Sequence, residues 1–176
     1  MKIRWNRFNI YLLVTLTAAV VCGCRTSGET KSKLSTLRLH LEASRDGTKA
    51  NEPVPVYRET PIMVNVEQAP FLTEADVAQA AVIDAVGGFA LRIQFKHAGM
   101  LTFEQYTTEN HGRRIAVFCQ FGDKLAEHRW LAAPMITHRI SDGVFTFTPD
   151  ATREESEEIA QGLNHVAKKL ESWVDR

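Results

Sequence analysis

Strict alternation of apolar and polar residues is the most persistent pattern in this chain. In Phe89-Ala-Leu-Arg-Ile-Gln-Phe-Lys96, Phe89, Leu91, Ile93 and Phe95 point one way and Arg92, Gln94 and Lys96 the other. That predicts a strand with one buried and one wet face. Leu37-Arg-Leu-His-Leu41 alternates in the same way and predicts a strand with His40 on its polar face. Residues 61–67 predict another strand, ended by Pro70, and residues 114–121 a further one in which Cys119 shares a face with Ile115 and Val117. Between them, residues 43–55 carry Asp46-Gly47, Pro53 and Pro55 and predict a loop. Gly87-Gly88 predicts a turn, and Ser141-Asp142-Gly143 a hairpin joining residues 135–140 to 144–148. Residues 122–134 are less regular.

A period of three to four residues replaces the alternation in three places. Thr73-Glu-Ala-Asp76 has the spacing of a helix N-cap and predicts a short helix to about Ala80. Met100, Phe103, Tyr106 and Thr107 predict a helix over 98–110, stopped at His111-Gly112. Thr152-Arg-Glu-Glu155 has the form of a capping box before Ile159, Leu163, Val166, Leu170 and Trp173, which predict the longest helix. Glu154, Glu155, Glu157 and Glu158 near its start and Lys168 and Lys169 near its end suit the helix dipole, so the acidic cluster reads as structural rather than as a cation site. Strands interleaved with helices, two of them short, predict an α+β fold. The expected form is a two-layer sandwich, ferredoxin-like in character, with an antiparallel or mixed sheet carrying helices on one face.

Composition adds little to the fold and more to the address. The chain has 176 residues, 44% apolar and 24% charged, with 21 basic and 21 acidic groups, which excludes a disordered, collagen-like or multi-span membrane class. Lys2, Arg4 and Arg7 precede the apolar run Tyr11-Leu-Leu-Val-Thr-Leu-Thr-Ala-Ala-Val-Val21, short for a membrane span and suited to an export signal. Val21-Cys22-Gly23-Cys24 resembles the bacterial lipoprotein box. Gly23 makes Cys24 the acceptor, so residues 1–23 are expected to be a lipoprotein signal peptide and Cys24 the lipid attachment. A plain cleaved signal and an uncleaved anchor are the alternatives. Residues 24–33 then form a polar tether and residues 34–176 the folded domain. The location implied is the bacterial envelope, facing the periplasm, and Arg25 favours the outer membrane by the sorting tendency of such lipoproteins. The basic and acidic balance gives no nucleic-acid footprint.

Chemistry-bearing residues are scattered. Cys119 is left without a disulfide partner in the lipidated form and reads as a core residue rather than a reactive thiol. The six histidines are His40, His97, His111, His128, His138 and His165. His128 and His138, with Asp123 or Glu127, would meet at a metal only if their segments paired; ordinary surface histidines are the simpler reading. Asp84 and Asp142 are conceivable as paired acids, but the turn accounts for Asp142. No catalytic, cofactor or metal motif is present, so no enzyme and no cofactor are expected, an unrecognised activity being the minor alternative.

Several segments in order resemble a known family. Phe71-Leu-Thr-Glu-Ala-Asp-Val77, Phe89 to Phe95, Tyr106-Thr-Thr-Glu-Asn110, Gly112-Arg-Arg-Ile-Ala-Val117, Ala133-Pro-Met-Ile136 and Phe147-Thr-Pro-Asp-Ala-Thr-Arg-Glu-Glu155 look like the head of the first periplasmic domain of SecD. The resemblance spans about residues 62–170. It implies an accessory role in protein export, contact with exported polypeptide and no catalysis. The proton-driven motor of that family needs membrane helices not seen in this sequence, so a motor role is not expected to carry over. The segment Phe121-Gly-Asp-Lys-Leu-Ala-Glu-His-Arg-Trp-Leu131 is longer than its family counterpart. Trp130 and His128 there are the candidate partner contacts, in a polypeptide-contacting loop or in a longer hairpin with Trp130 buried. An exposed sheet edge would take an unfolded strand through main-chain bonds. A dedicated structural adaptor of an envelope complex is the alternative function.

Overall fold

The computed structural model describes residues 33–43 and 51–174. Cys24, the leader and the tether up to residue 32 lie outside the described residues. Among the described residues, nine strands and two helices follow one another. β1 (Thr36–Leu41), β2 (Asn51–Val56), β3 (Ile62–Glu67) and β4 (Leu72–Thr73) come first. A single 3-10 turn (Glu74–Asp76) then leads into β5 (Val77–Ala85) and β6 (Gly88–Phe95). Next are α1 (His97–Glu109), β7 (Ile115–Phe121), a second 3-10 turn (Asp123–Leu125), β8 (Glu127–Ala132), β9 (Val144–Phe147) and α2 (Arg153–Val174). The fold is α+β, as the pattern predicts. The sheet layer is built from three antiparallel ladders: β4-β1-β7-β8, the ribbon β2-β3, and β5-β6-β9.

The main core lies between these strands and the two helices. Leu37, Leu39 and Leu41 of β1, Leu91, Ile93 and Phe95 of β6, Ile115, Val117, Cys119 and Phe121 of β7, and Ile159 and Leu163 of α2 are all buried in it. Phe103 of α1 joins it, 5.1 Å from the Phe95 ring and 5.3 Å from Phe145. Thr152 and Glu155 form the capping box of α2: the Thr152 N–H donates to Glu155 Oε2 at 2.8 Å and the Glu155 N–H to Thr152 Oγ1 at 3.2 Å. Gly162 is the place where α2 touches the start of β1, since a Cβ there would stand 2.2 Å from Ser35 Oγ.

Four expectations are corrected. The Thr73 cap exists, with its hydroxyl accepting from the Ala75 N–H, but it caps one 3-10 turn rather than a helix to Ala80. Residues 77–85 are a strand because β6 needs a partner on that side; Val82↔Leu91 and Ala80↔Ile93 set the register. No hairpin closes over Ser141-Asp142-Gly143. Val144–Phe147 pairs with β6 instead, and the preceding segment makes one isolated bridge, Arg114↔Met135. Within the predicted loop, residues 51–56 form β2. Pro53 and Pro55 are two apart and exposed, so their missing N–H groups fall on one edge, which suits a strand paired only with β3.

The fourth correction is His40. Its side of β1 is buried, because the β2-β3 ribbon covers that face and makes a second small core with Val54, Val56, Val64, Val66, Ala116 and Ala133, against which Trp130 packs. His40 Nδ1 lies 2.9 Å from the Glu67 carbonyl oxygen, so Nδ1 carries the proton, and the ring meets Trp130 edge-on at 5.2 Å. Burial lowers its pKa, with Arg38 acting the same way, against the Glu67 carbonyl and Glu52.

Candidate functional site

The irregular stretch 122–134 contains β8, which pairs with β7 through Phe118↔Trp130, Gln120↔His128 and Phe121↔Glu127. The segment is a hairpin, but Trp130 in it is half-buried rather than buried, and His128 is exposed. Alternation along β8 sorts its side chains. Arg129 and Leu131 turn toward the main core; His128 and Trp130 turn toward the ribbon. There Trp130 meets Phe118 at 5.1 Å and 54°, and Phe118 and His128 are 6.4 Å apart.

These rings floor an open cleft of about 460 Å³, with Pro55, Tyr57, Arg58 and Pro61 of the ribbon tip as one wall and Asp150 closing it. Tyr57 has φ 70°, the left-handed region that a residue with a Cβ enters only when its surroundings impose it. Val56 on one side is fully buried, and on the other the Arg58 N–H donates to Asp150 Oδ2 at 2.8 Å. Arg58 Nε adds a 3.3 Å contact to the same carboxylate. Asp150 also binds β8 with its main chain: its N–H donates to the Leu131 oxygen at 2.7 Å and its carbonyl accepts from Arg129 Nη1 at 3.1 Å. Arg129 continues to Glu155 at 3.1 Å and lies over the Phe121 ring. Burial by itself raises the Glu155 pKa, but hydrogen bonds from Arg129 and Thr152 outweigh it and hold the carboxyl below its ordinary value.

The cleft therefore offers apolar rings beside charges already matched to one another, and the outer edge of β8, which pairs on its other side with β7. This suits non-covalent contact with an extended chain better than bond-making. Cys119 is buried and its thiol pKa is pushed far up by burial. Asp84 pairs with Arg153, while Asp142 accepts the Val144 N–H at 2.9 Å, so the two acids serve different segments. His128 and His138 are not brought together by pairing, since β8 pairs with β7. Among the described residues no three His, Cys, Asp or Glu form a group able to hold a metal, and no helix is long and apolar enough to cross a membrane.

The sequence pattern singled out Trp130 and His128 but missed Arg58, Tyr57, Phe118 and Asp150. Arg58 and Asp150 are 92 residues apart, and no local spacing announces such a pair.

Comparison with known proteins agrees with the motifs. The family described as the SecDF P1 head subdomain matches residues 51–167, so the match starts at β2, earlier than the motifs alone placed it. The protein translocase subunit SecDF of Thermus thermophilus is 34% identical over 92 residues, 52% of this chain. The chain matches only 12% of that relative's length. A solved structure of SecDF, described as a membrane component that enhances protein export, superposes with a TM-score of 0.53 at 20% identity, over 76% of this chain and 63% of the other. SecDF in its super-membrane-facing form gives 0.54 at 21%, over 76% and 19%. These two likenesses concern the fold. With the family match covering most of the chain, this protein belongs to the SecDF P1 head subdomain family.

Proposed function

We propose that this protein is a lipid-anchored domain of the bacterial envelope that contacts extended polypeptide in the cleft between the ribbon tip and β8, as a non-catalytic accessory to protein export. The observation that carries the reading is the aromatic floor of Phe118, Trp130 and His128 beside the outer edge of β8. Apolar rings take side chains of many kinds, and a strand edge supplies main-chain bonds that do not depend on sequence, so the combination suits an unfolded chain. Prolines blunt the outer edge of β2, and Asn164 of α2 holds the outer edge of β5 by bonding both Ala80 N and Ala80 O; of the remaining edges, that of β8, apart from Leu131 whose oxygen Asp150 takes, is the one beside the aromatic floor. Acylation of Cys24 would keep the domain at a membrane surface, and Arg25 favours the outer membrane.

The test is photo-crosslinking in intact envelopes, with a photoreactive phenylalanine analogue in place of Tyr57 on the cleft rim. Adducts with many exported chains, lost when Trp130→Ala is added, are the expected result. A single defined adduct would replace this reading by that of a dedicated adaptor for one envelope protein. Labelling of the wild type but not of Cys24→Ala with a radioactive fatty acid checks the anchor.

A further inference from the structure

The apolar stripe of α2 does not end where the core ends. Ile159, Leu163 and Ala167 are buried, yet Leu170, two turns after Leu163 on the same side, is exposed, and Trp173 beside it is 70% exposed. An apolar helix stripe is ordinarily covered. Around the helix, Lys169 is one turn before Trp173 on the same side, while Lys168 and Glu171, three residues apart, both lie toward the face opposite Trp173. Both lysines are exposed and neither forms an ion pair among the described residues, whereas Glu155 and Glu158 earlier in the helix are engaged by Arg129 and Lys33. A tryptophan with a lysine on its flank is the composition of a helix end seated in a lipid headgroup layer.

The path of the chain allows that seat. Lys33 pairs with Glu158 at 3.0 Å and Ser35 abuts Gly162, so residues 33–35 lie alongside α2. From Glu158 to Trp173 the helix runs about 22 Å at 1.5 Å per residue. The nine residues after Cys24 reach about 30 Å when extended. A lipid on Cys24 can therefore lie in the same surface that Trp173 touches.

We propose that the last two turns of α2 form a membrane-surface contact, with Leu170 and Trp173 entering the headgroup region of an anionic bilayer and Lys169 meeting its lipid charges. The contact rests on the lipid-anchor reading and adds to it an orientation: a second point of attachment stops the domain from tumbling about its tether.

The test uses the full chain, purified from bacterial membranes in a Trp130→Phe background, whose intact mass reports acylation. After loss of the leader, Trp173 is its one tryptophan. The protein is placed in phosphatidylethanolamine and phosphatidylglycerol vesicles with or without brominated acyl chains. Blue-shifted emission that is lost in the brominated vesicles, and restored by Lys169→Glu although the protein stays vesicle-bound, is the expected result. Acylated protein whose Trp173 is unquenched overturns the inference alone; if its emission is also blue-shifted, protein rather than lipid covers the stripe. A mass without acyl chains overturns the anchor reading, and the inference with it.

Discussion

His40 shows what one residue's surroundings do to a pattern. Its place in an alternating strand makes it polar-facing, and so it is, but the polar face of β1 is roofed by the ribbon. Burial disfavours the imidazolium and lowers the pKa from the ordinary 6.5. The unfolded chain therefore takes up a proton before the folded one does as pH falls. The stability that His40 contributes is present above about pH 6.5 and is lost as pH falls through the folded value. Glu155, also lowered, loses its contribution further down, below its ordinary 4.5. Thermal melts across pH should accordingly show Tm nearly flat above 6.5 and falling beneath it. His40→Asn, whose amide can still donate to the Glu67 carbonyl, should flatten the upper part of that fall and leave the acid part. A wild-type Tm that rises on going from pH 7 to pH 5.5 would contradict the assignment.

Among the elements, those whose own residues alternate or repeat regularly are the ones the residue pattern reveals, whatever the distance to their partners: β1 and β7 pair across about 80 residues, while β2 and β5, paired with their neighbours in sequence, are missed. β6 and its turn from β5, α1 with its Gly112 stop, and α2 with its capping box all declare themselves by period and punctuation. Thr73 to Asp76 also makes its cap as the spacing says. Beyond that cap β6 dictates the conformation, and a helical reading of Val77 to Ala80 loses to eight residues of strand pairing. The hairpin at Asp142-Gly143 fails for the same reason, because β6 takes Val144–Phe147 from more than 40 residues away. The site was legible to the same extent: Trp130 and His128 sit on one strand, but the wall opposite comes from a ribbon tip that reads as a loop.

One element contact has a measurable weight. Asn164 of α2 accepts the Ala80 N–H at 2.7 Å and donates to the Ala80 oxygen at 2.8 Å, standing in for a neighbouring strand at the bulged start of β5. Asn164→Ala would leave both groups of a buried residue without a partner, a cost of about 1–3 kcal/mol. Urea denaturation should show that loss as a lower midpoint with an unchanged slope.

At the scale of the molecule, the two cores are unequal. The larger one ties both helices to seven strands, while the smaller holds the ribbon by four valines and two alanines with Ile62 and Trp130 against them, a histidine, the main-chain bond from the Ala43 N–H to the Asn65 oxygen beside the Glu42–Val66 bridge, and the polar ties at Arg58–Asp150 and Arg113–Glu67. Local opening should follow that inequality. In native-state hydrogen exchange, the amides of Val54, Val56, Val64 and Val66 are expected to exchange well before those of Ile93, Val117 and Leu163, and Asp150→Ala should speed only the first group. Equal protection in both groups would mean that the ribbon and the rest unfold together. Because the ribbon tip is also a wall of the cleft, the two behaviours are joined: that wall is expected to open before the framework does, so a chain held there, as proposed, would pull on the weaker-held part of the protein rather than on its framework.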